Sequence, residues 1–337
     1  MRILITGAAG FIGHALVKAL AKKGDELTGI DNLSPLSNER IKQARLNDLG
    51  IAVSDAAYGK VVKSSIIPSF RFLKLDVADR EELPRLFTKE QYDCVVHLAA
   101  QAGVRRSMDA PFAYAETNLI GFINILECCR KAPSARLIFA SSSSVYGAQS
   151  QPPFAETAST DAPLSFYAAT KKADELFAYS YYKLFGISAV ALRFFTVYGA
   201  WGRPDMAPLI FLKAIMEEKP LRLFNRGSMT RDFTYVDDVV ECIRRVVMRV
   251  SSSPTFAIYN IGSASPVTLT DFLATLEQAT GKKAIVQLAD MQPGDVPSTM
   301  ADVSRFVRDY GYRPRTPLPE GLASLCRWYK NHSNDIF

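Results

Sequence analysis

From Arg2 to Thr6 the chain is a short apolar run with β-branched residues, and Gly7-Ala8-Ala9-Gly10-Phe11-Ile12-Gly13 follows directly. Apolar positions then recur at helical spacing through Ile12, Leu16, Ala19 and Leu20, so the pattern predicts strand, tight turn and helix in that order. Gly24 ends the helix, Glu26 to Ile30 reads as a second strand, and Asp31 lies at its carboxyl end. Further strands are predicted over Phe70 to Leu75, Cys94 to Leu98, Arg136 to Ala140, Ser188 to Leu192 and Ile258 to Ile261. Between them lie helical patterns, notably Ala113 to Arg130, Ser165 to Phe185 and Val236 to Val250. Strands alternating with helices predict an α/β fold on a parallel, doubly wound sheet. The polar stretch from Asn38 to Ser69 has no comparable period and is expected to leave the sheet. Beyond Thr196 prolines recur, among them Pro204, Pro208, Pro220, Pro254, Pro266 and Pro293. They predict a smaller, loop-rich second unit that the chain enters more than once.

A length of 337 residues fits about two domains. The expected division gives residues 1–195 with 233–262 to the first and 196–232 with 263–337 to the second. Hydrophobic residues at 48% and charged residues at 22% exclude a disordered or collagenous chain. No apolar run is long enough to span a membrane, and the first residues lead into a folded pattern rather than a signal peptide. The 40 basic residues exceed the 34 acidic ones by a margin that suits an anionic small ligand and is too diffuse for nucleic acid. Cys94, Cys128, Cys129, Cys242 and Cys326 are odd in number and lack paired metal spacing, so buried reduced thiols, no metal site and a cytoplasmic setting are expected.

The glycine triplet Gly7, Gly10 and Gly13 departs from the usual Gly-x-Gly-x-x-Gly, but a strand precedes it and a helix follows. Asp31 lies 18 residues beyond Gly13, near the distance at which an acid grips the ribose of a dinucleotide. The glycines would let the backbone approach a pyrophosphate, whose charge meets free amides at the helix start. Asp31 would accept from the adenosine hydroxyls and repel a 2′-phosphate, so NAD is expected rather than NADP. Asp76 and Val77, at the end of a third strand, are placed to meet the adenine. Tyr167 and Lys171, four residues apart, share a helical face, and a cation beside a phenol favours phenolate, which can act as a base. Ser141 to Ser144 continue a strand into a hydroxyl-rich loop at the carboxyl end of the sheet, where ligands bind in such folds. Taken singly, each motif also fits a ligand-free glycine turn, a surface Tyr/Lys pair or a solvated serine loop.

Together these features resemble the extended short-chain dehydrogenases that act on nucleotide sugars. The resemblance also rests on His97-Leu98-Ala99-Ala100-Gln101, Arg193-Phe194-Phe195-Thr196-Val197-Tyr198-Gly199, Arg231-Asp232-Phe233 and Gly294-Asp295-Val296. It implies a Rossmann domain that binds NAD through Gly7, Gly10, Phe11, Ile12, Gly13, Asp31, Asn32, Asp76, Val77, Leu98, Ala99 and Ala100, with a second, smaller α/β substrate domain. It further implies that Tyr167 is the catalytic base, that Lys171 holds the nicotinamide ribose, and that Ser142 assists Tyr167. Ser143 and Ser144 then look like substrate contacts, Arg231 a diphosphate ligand and Asp295 a ribose contact. Arg193 reads as structural. Gln292 stands where many UDP-glucose epimerases carry Arg, and Arg222, Arg226 and Arg305 are the candidates for the second phosphate charge.

Relatives that dehydrate or decarboxylate the oxidised sugar carry a carboxylate directly after the catalytic hydroxyl, where this chain has Ser143 and Ser144. Reversible oxidation then leaves epimerisation as the net outcome. The stretch Val197 to Met206, with Gln101 to Arg105 and Met291 to Val296, resembles the UDP-glucuronate 4-epimerases more than the UDP-glucose enzymes. An arginine fork suits a uronate carboxylate, so Arg203, assisted by Thr196, is expected to hold it and to restrain loss of carbon dioxide from a 4-keto uronate. A neutral UDP-sugar epimerase and a non-catalytic NAD-sensing protein are the alternatives, and the Tyr167/Lys171 pair weighs against the second. The helices Ala113 to Arg130 and Ser165 to Phe185 carry Phe122, Ile123, Leu126, Phe177, Tyr181, Tyr182 and Phe185, more apolar surface than one face needs. In the family such helices form a four-helix bundle between two subunits, so a homodimer is expected.

Overall fold

Strand β1 (Arg2–Thr6) takes a parallel neighbour on each side, β2 (Glu26–Asp31) on one and β5 (Cys94–His97) on the other. Outward from β2 lie β4 (Phe70–Lys74) and β3 (Val61–Lys63), and beyond β5 come β6 (Arg136–Ser142), β7 (Ala189–Phe194) and β11 (Phe256–Ile261). Every pairing in this eight-stranded sheet is parallel except that of β3 with β4. The computed structural model describes residues 1–21, 24–36, 38–132, 134–148, 151–249, 253–291 and 296–336.

Side chains alternate across a strand, and β1 shows what that does here. Ile3 and Ile5 join a core with Leu16, Val17 and Leu20 of the helix Phe11–Ala21 and Val239 and Ile243 of the helix Val236–Met248. Leu4 turns to the opposite face, into a core with Phe122, Ile125 and Leu126 of the helix Gly121–Lys131 and Ala178 of the helix Phe166–Phe185. A sheet covered on both faces explains why its strands read as continuous apolar runs. Strand order reverses at β1, and in such sheets ligands bind at the carboxyl ends of the strands beside that reversal.

The stretch expected to leave the sheet does so, but as a regular helix, and it rejoins the sheet at its end. Asn38 caps the helix Glu39–Asp48 by accepting from Ile41 N at 3.2 Å, and Val61 to Lys63 return as the antiparallel edge strand. Only Ile41, Arg45 and Leu46 of that helix are buried. An arginine within the inward stripe hides the helical period from a hydrophobic pattern. The helix expected from Ala113 begins at Pro111 and widens into a π-helical segment over Ala115–Ile120 before Gly121–Lys131. Phe122 and Leu126 on it are fully buried, so they belong to the core rather than to a free apolar face.

After β7 the chain forms two small sheets, β12 (Pro266–Thr268), β10 (Thr230–Tyr235) and β8 (Thr196–Tyr198) in one, and β13 (Ile285–Ala289) with β9 (Pro220–Phe224) in the other. Asp232 and Phe233, on either side of the expected domain boundary, lie in the single strand β10. All five cysteines are buried and unpaired. Among the described residues no helix is long and apolar enough to cross a membrane.

Candidate active site

A cavity of about 800 Å³ opens where β1, β2, β5 and β6 end. Gly7, Gly10, Phe11, Ile12 and Gly13 line one end of it. Gly7 sits at φ +71°, and a Cβ on Gly13 would lie 2.1 Å from the Gly7 carbonyl oxygen. The turn therefore closes only with glycine at both positions. The first-turn amides of the helix Phe11–Ala21 have no acceptor within the helix, and with its dipole they favour an anion. Asp31, at the end of β2, accepts from Leu33 N and from Lys42 Nζ, each at 2.8 Å. Asn32, Val77, Leu98, Ala99 and Ala100 also line the cavity. Asp76 does not; its carboxylate accepts from Asn32 Nδ2 at 2.7 Å and from Ala78 N at 2.9 Å, so it shapes the wall from behind.

Tyr167 and Lys171 reach the cavity from the first turns of the helix Phe166–Phe185. Ser165 caps that helix, its hydroxyl accepting from Ala168 N at 3.1 Å. Lys171 is only 2% exposed, and its ammonium donates to Asp174 Oδ2 at 3.1 Å. Burial pushes the Asp174 carboxyl up to about 7, against the pull of Lys171. His97, at the end of β5, shares a 2.8 Å hydrogen bond with Thr6 Oγ1, and burial lowers its ring to about 3, with the charge of Lys171 acting the same way. Its imidazole is therefore neutral near pH 7. Ser142 ends β6, where its Oγ accepts from Ser144 N at 3.2 Å and donates to Ser144 Oγ at 3.1 Å. Ser142, Ser143 and Ser144 all face the cavity.

Thr196 and Arg203 also line the cavity. The Arg203 fork clasps Asp205, Nε to Oδ1 at 3.0 Å and Nη2 to Oδ2 at 2.6 Å, while Nη2 also donates to Ala102 O at 3.2 Å. Arg231 is not brought to this cavity. Its guanidinium is turned onto the carbonyls of Thr230 and Pro297 and the sulfur of Met229. Arg222, Arg226 and Arg305 do not line it either. Gln292 and Asp295 lie outside the described residues. Arg193 is buried in a two-pronged ion pair with Glu175, both contacts at 2.8 Å, and Ser141 donates to the same carboxylate at 2.6 Å. That geometry is the structural role expected of it.

Sequence reasoning missed several groups. Lys42 and Arg45 line the cavity from the unrecognised helix Glu39–Asp48; recognising Asn38 as its cap would have exposed them. Asn118, in the π-helical segment, accepts from Gln101 N at 2.8 Å and donates to Gln101 O at 3.1 Å and to Thr170 Oγ1 at 3.0 Å. It thereby joins the loop after β5 to the helix that carries Tyr167. Asp174, three residues beyond Lys171, had no signal in the sequence beyond that spacing. Among the described residues no cluster of His, Cys, Asp and Glu could hold a metal ion.

The family model for NAD dependent epimerases and dehydratases matches residues 3–262. The chain belongs to the NAD dependent epimerase/dehydratase family. Within this epimerase/dehydratase family it is 42% identical to "Protein CapI" of Staphylococcus aureus, over 98% of each chain. It is 39% identical to UDP-glucuronate 4-epimerase 4 of Arabidopsis thaliana, over 98% of this chain and 75% of that one. Among solved structures it is similar to UDP-glucuronic acid 4-epimerase from Bacillus cereus in complex with UDP-glucuronic acid and NAD. That match has a TM-score of 0.88 and 33% identity, and covers 98% of this chain and 99% of the other.

Proposed function

We propose that this epimerase/dehydratase family member interconverts UDP-glucuronate and UDP-galacturonate by NAD-dependent epimerisation at C4. One observation carries the choice of sugar: Arg203, in the wall that also holds Tyr167, already clasps a carboxylate, that of Asp205, with its fork. A uronate carboxylate is the substrate group of matching charge and geometry. The likeness to UDP-glucuronate 4-epimerases supports the same reading.

The residues present fit NAD. The open amides at the glycine turn suit its diphosphate, Asp31 its adenosine ribose, and Lys171 the nicotinamide ribose. When bound, NAD supplies a hydride acceptor and then a hydride donor at the sugar C4. Tyr167 takes the proton of the 4-hydroxyl as that carbon is oxidised and returns it after the 4-keto sugar has turned in the site. Ser142 hydrogen-bonds the same oxygen, and Ser143, Ser144 and Thr196 bind the sugar. Arg203 holds the carboxylate away from the orientation in which a β-keto acid loses carbon dioxide. No acid stands at Ser143 or Ser144 to draw the keto sugar into elimination. Arg231 and Asp295 keep the diphosphate and uridine ribose roles in this proposal, which requires the Arg231 side chain to leave its backbone carbonyls.

We assign a cytoplasmic setting from the five buried, unpaired thiols. We also propose a homodimer, through an apolar surface that keeps Phe185 of the set the sequence suggested but not Phe122 or Leu126. Phe112, Phe166, Leu176, Tyr179, Leu184 and Phe185 are exposed on these helices, while Phe122 and Leu126 face the core. Light scattering that returns a monomer mass at working concentration would contradict the dimer. For the reaction, the test is incubation of the purified protein with UDP-glucuronate or with UDP-glucose, the products resolved by NMR. UDP-galacturonate formed without stoichiometric NAD is expected; turnover of UDP-glucose alone would reassign the substrate.

A further inference from the structure

Arg45 is 3% exposed and lines the cavity beside the glycine turn. Its guanidinium makes four hydrogen bonds, all to backbone carbonyls. Nη1 donates to Ala9 O at 3.1 Å, Nε to Trp201 O at 3.2 Å, and Nη2 to Trp201 O at 2.6 Å and Gly202 O at 3.1 Å. Among the described residues no carboxylate pairs with it. Asp31, the acid whose charge reaches it, is itself held by Lys42 at 2.8 Å. Burial draws the guanidinium down to about 9, Asp31 opposes that, and the charge of Arg203 adds to it. Carbonyl dipoles solvate a buried cation without neutralising it, and a buried charge is costly until it is paired.

The unbalanced charge sits one residue from Gly10, at the turn whose open amides already favour an anion. Lys42, the other cation of this helix that lines the cavity, is taken by Asp31. We propose that Arg45 is the counter-charge for the diphosphate of the bound dinucleotide, an inference that rests on the NAD reading above. The same guanidinium fixes the carbonyls of Trp201 and Gly202, directly before Arg203. The cation that answers the diphosphate thus also anchors the loop carrying the carboxylate fork.

The test compares ADP with adenosine by calorimetry as ligands of the purified protein, stripped of retained NAD and checked by absorbance to be free of it, in the parent, Arg45→Gln and Arg45→Lys. The parent is expected to bind ADP more tightly than adenosine. Arg45→Gln should weaken ADP on the order of 10- to 100-fold, the usual loss for a charge-assisted hydrogen bond, and leave adenosine within about threefold. Arg45→Lys keeps the charge and should keep the preference for ADP. Equal weakening of both ligands in Arg45→Gln would make Arg45 a structural clamp and overturn the proposal. Unchanged ADP affinity in Arg45→Gln would overturn it too, as would loss of the ADP preference in Arg45→Lys should the glutamine variant not fold. A parent that binds neither ligand would instead defeat the NAD reading itself.

Discussion

The two ends of the cavity are built differently. At the glycine turn the functional groups are main-chain amides and a carboxylate at a strand end, fixed by the sheet and by glycines that tolerate no Cβ. Around Arg203 the functional group is a long side chain on a loop, held by a neighbouring acid, while Arg231, on strand β10, is turned away from the cavity onto carbonyls. The first end is set once the backbone folds. On the proposed reading the second has to exchange internal contacts for substrate contacts.

On the proposed mechanism the largest effect comes from Tyr167. Tyr167→Phe removes the group that carries the proton, and turnover should fall by roughly 10²- to 10⁴-fold. The variant should still purify with NAD bound, as read by absorbance after denaturation; turnover near the parent's would remove Tyr167 from that role. Next comes Arg203→Ala. Losing a charge-assisted hydrogen bond to a carboxylate corresponds to roughly 10- to 100-fold, so kcat/KM for UDP-glucuronate should drop by that factor. NAD retention should not change, and some decarboxylated pentose should appear among the products. Parent-like kinetics would place the uronate carboxylate elsewhere.

A further effect, on folding rather than on turnover, concerns stability in acid. The ring of His97 is lowered by burial from 6.5 to about 3, so below about pH 6.5 the unfolded chain takes up a proton that the folded one refuses. Stability from this group is fully present at neutral pH and lost as the pH falls from about 6.5 toward 3, at up to about 1.4 kcal/mol per pH unit. Urea unfolding across that range should show the slope, and His97→Gln should flatten it. An unchanged slope in the variant would mean that other groups carry the acid sensitivity.

The contrast between the two ends also explains what the sequence made legible. Gly7, Gly10, Gly13 and Asp31 are local to one strand-turn-helix-strand unit, and Tyr167 and Lys171 to one helix, so spacing alone brings them together. Arg45 and Lys42 sit on a helix whose inward stripe is interrupted by a charge, and no hydrophobic period announces it. Asn118 braces the wall of the site from a π-helical turn that a 3.6-residue repeat does not anticipate. Arg231 is a different case: its position in the motif is clear from the sequence, but the direction of its side chain depends on Pro297 and Met229, which no local pattern connects to it.

The clasp between Arg203 and Asp205 also shapes how binding is measured. On the proposed reading a uronate entering the site replaces one carboxylate by another on the same fork, so the observed affinity is the difference between two ion pairs of like kind rather than the strength of either. The count of charge pairs at the fork is the same before and after, and added salt weakens both sides of the exchange together. A neutral sugar leaves the internal pair standing. Discrimination between the two sugars then appears as an exchange equilibrium, and Asp205, which never needs to touch the substrate, sets its zero point.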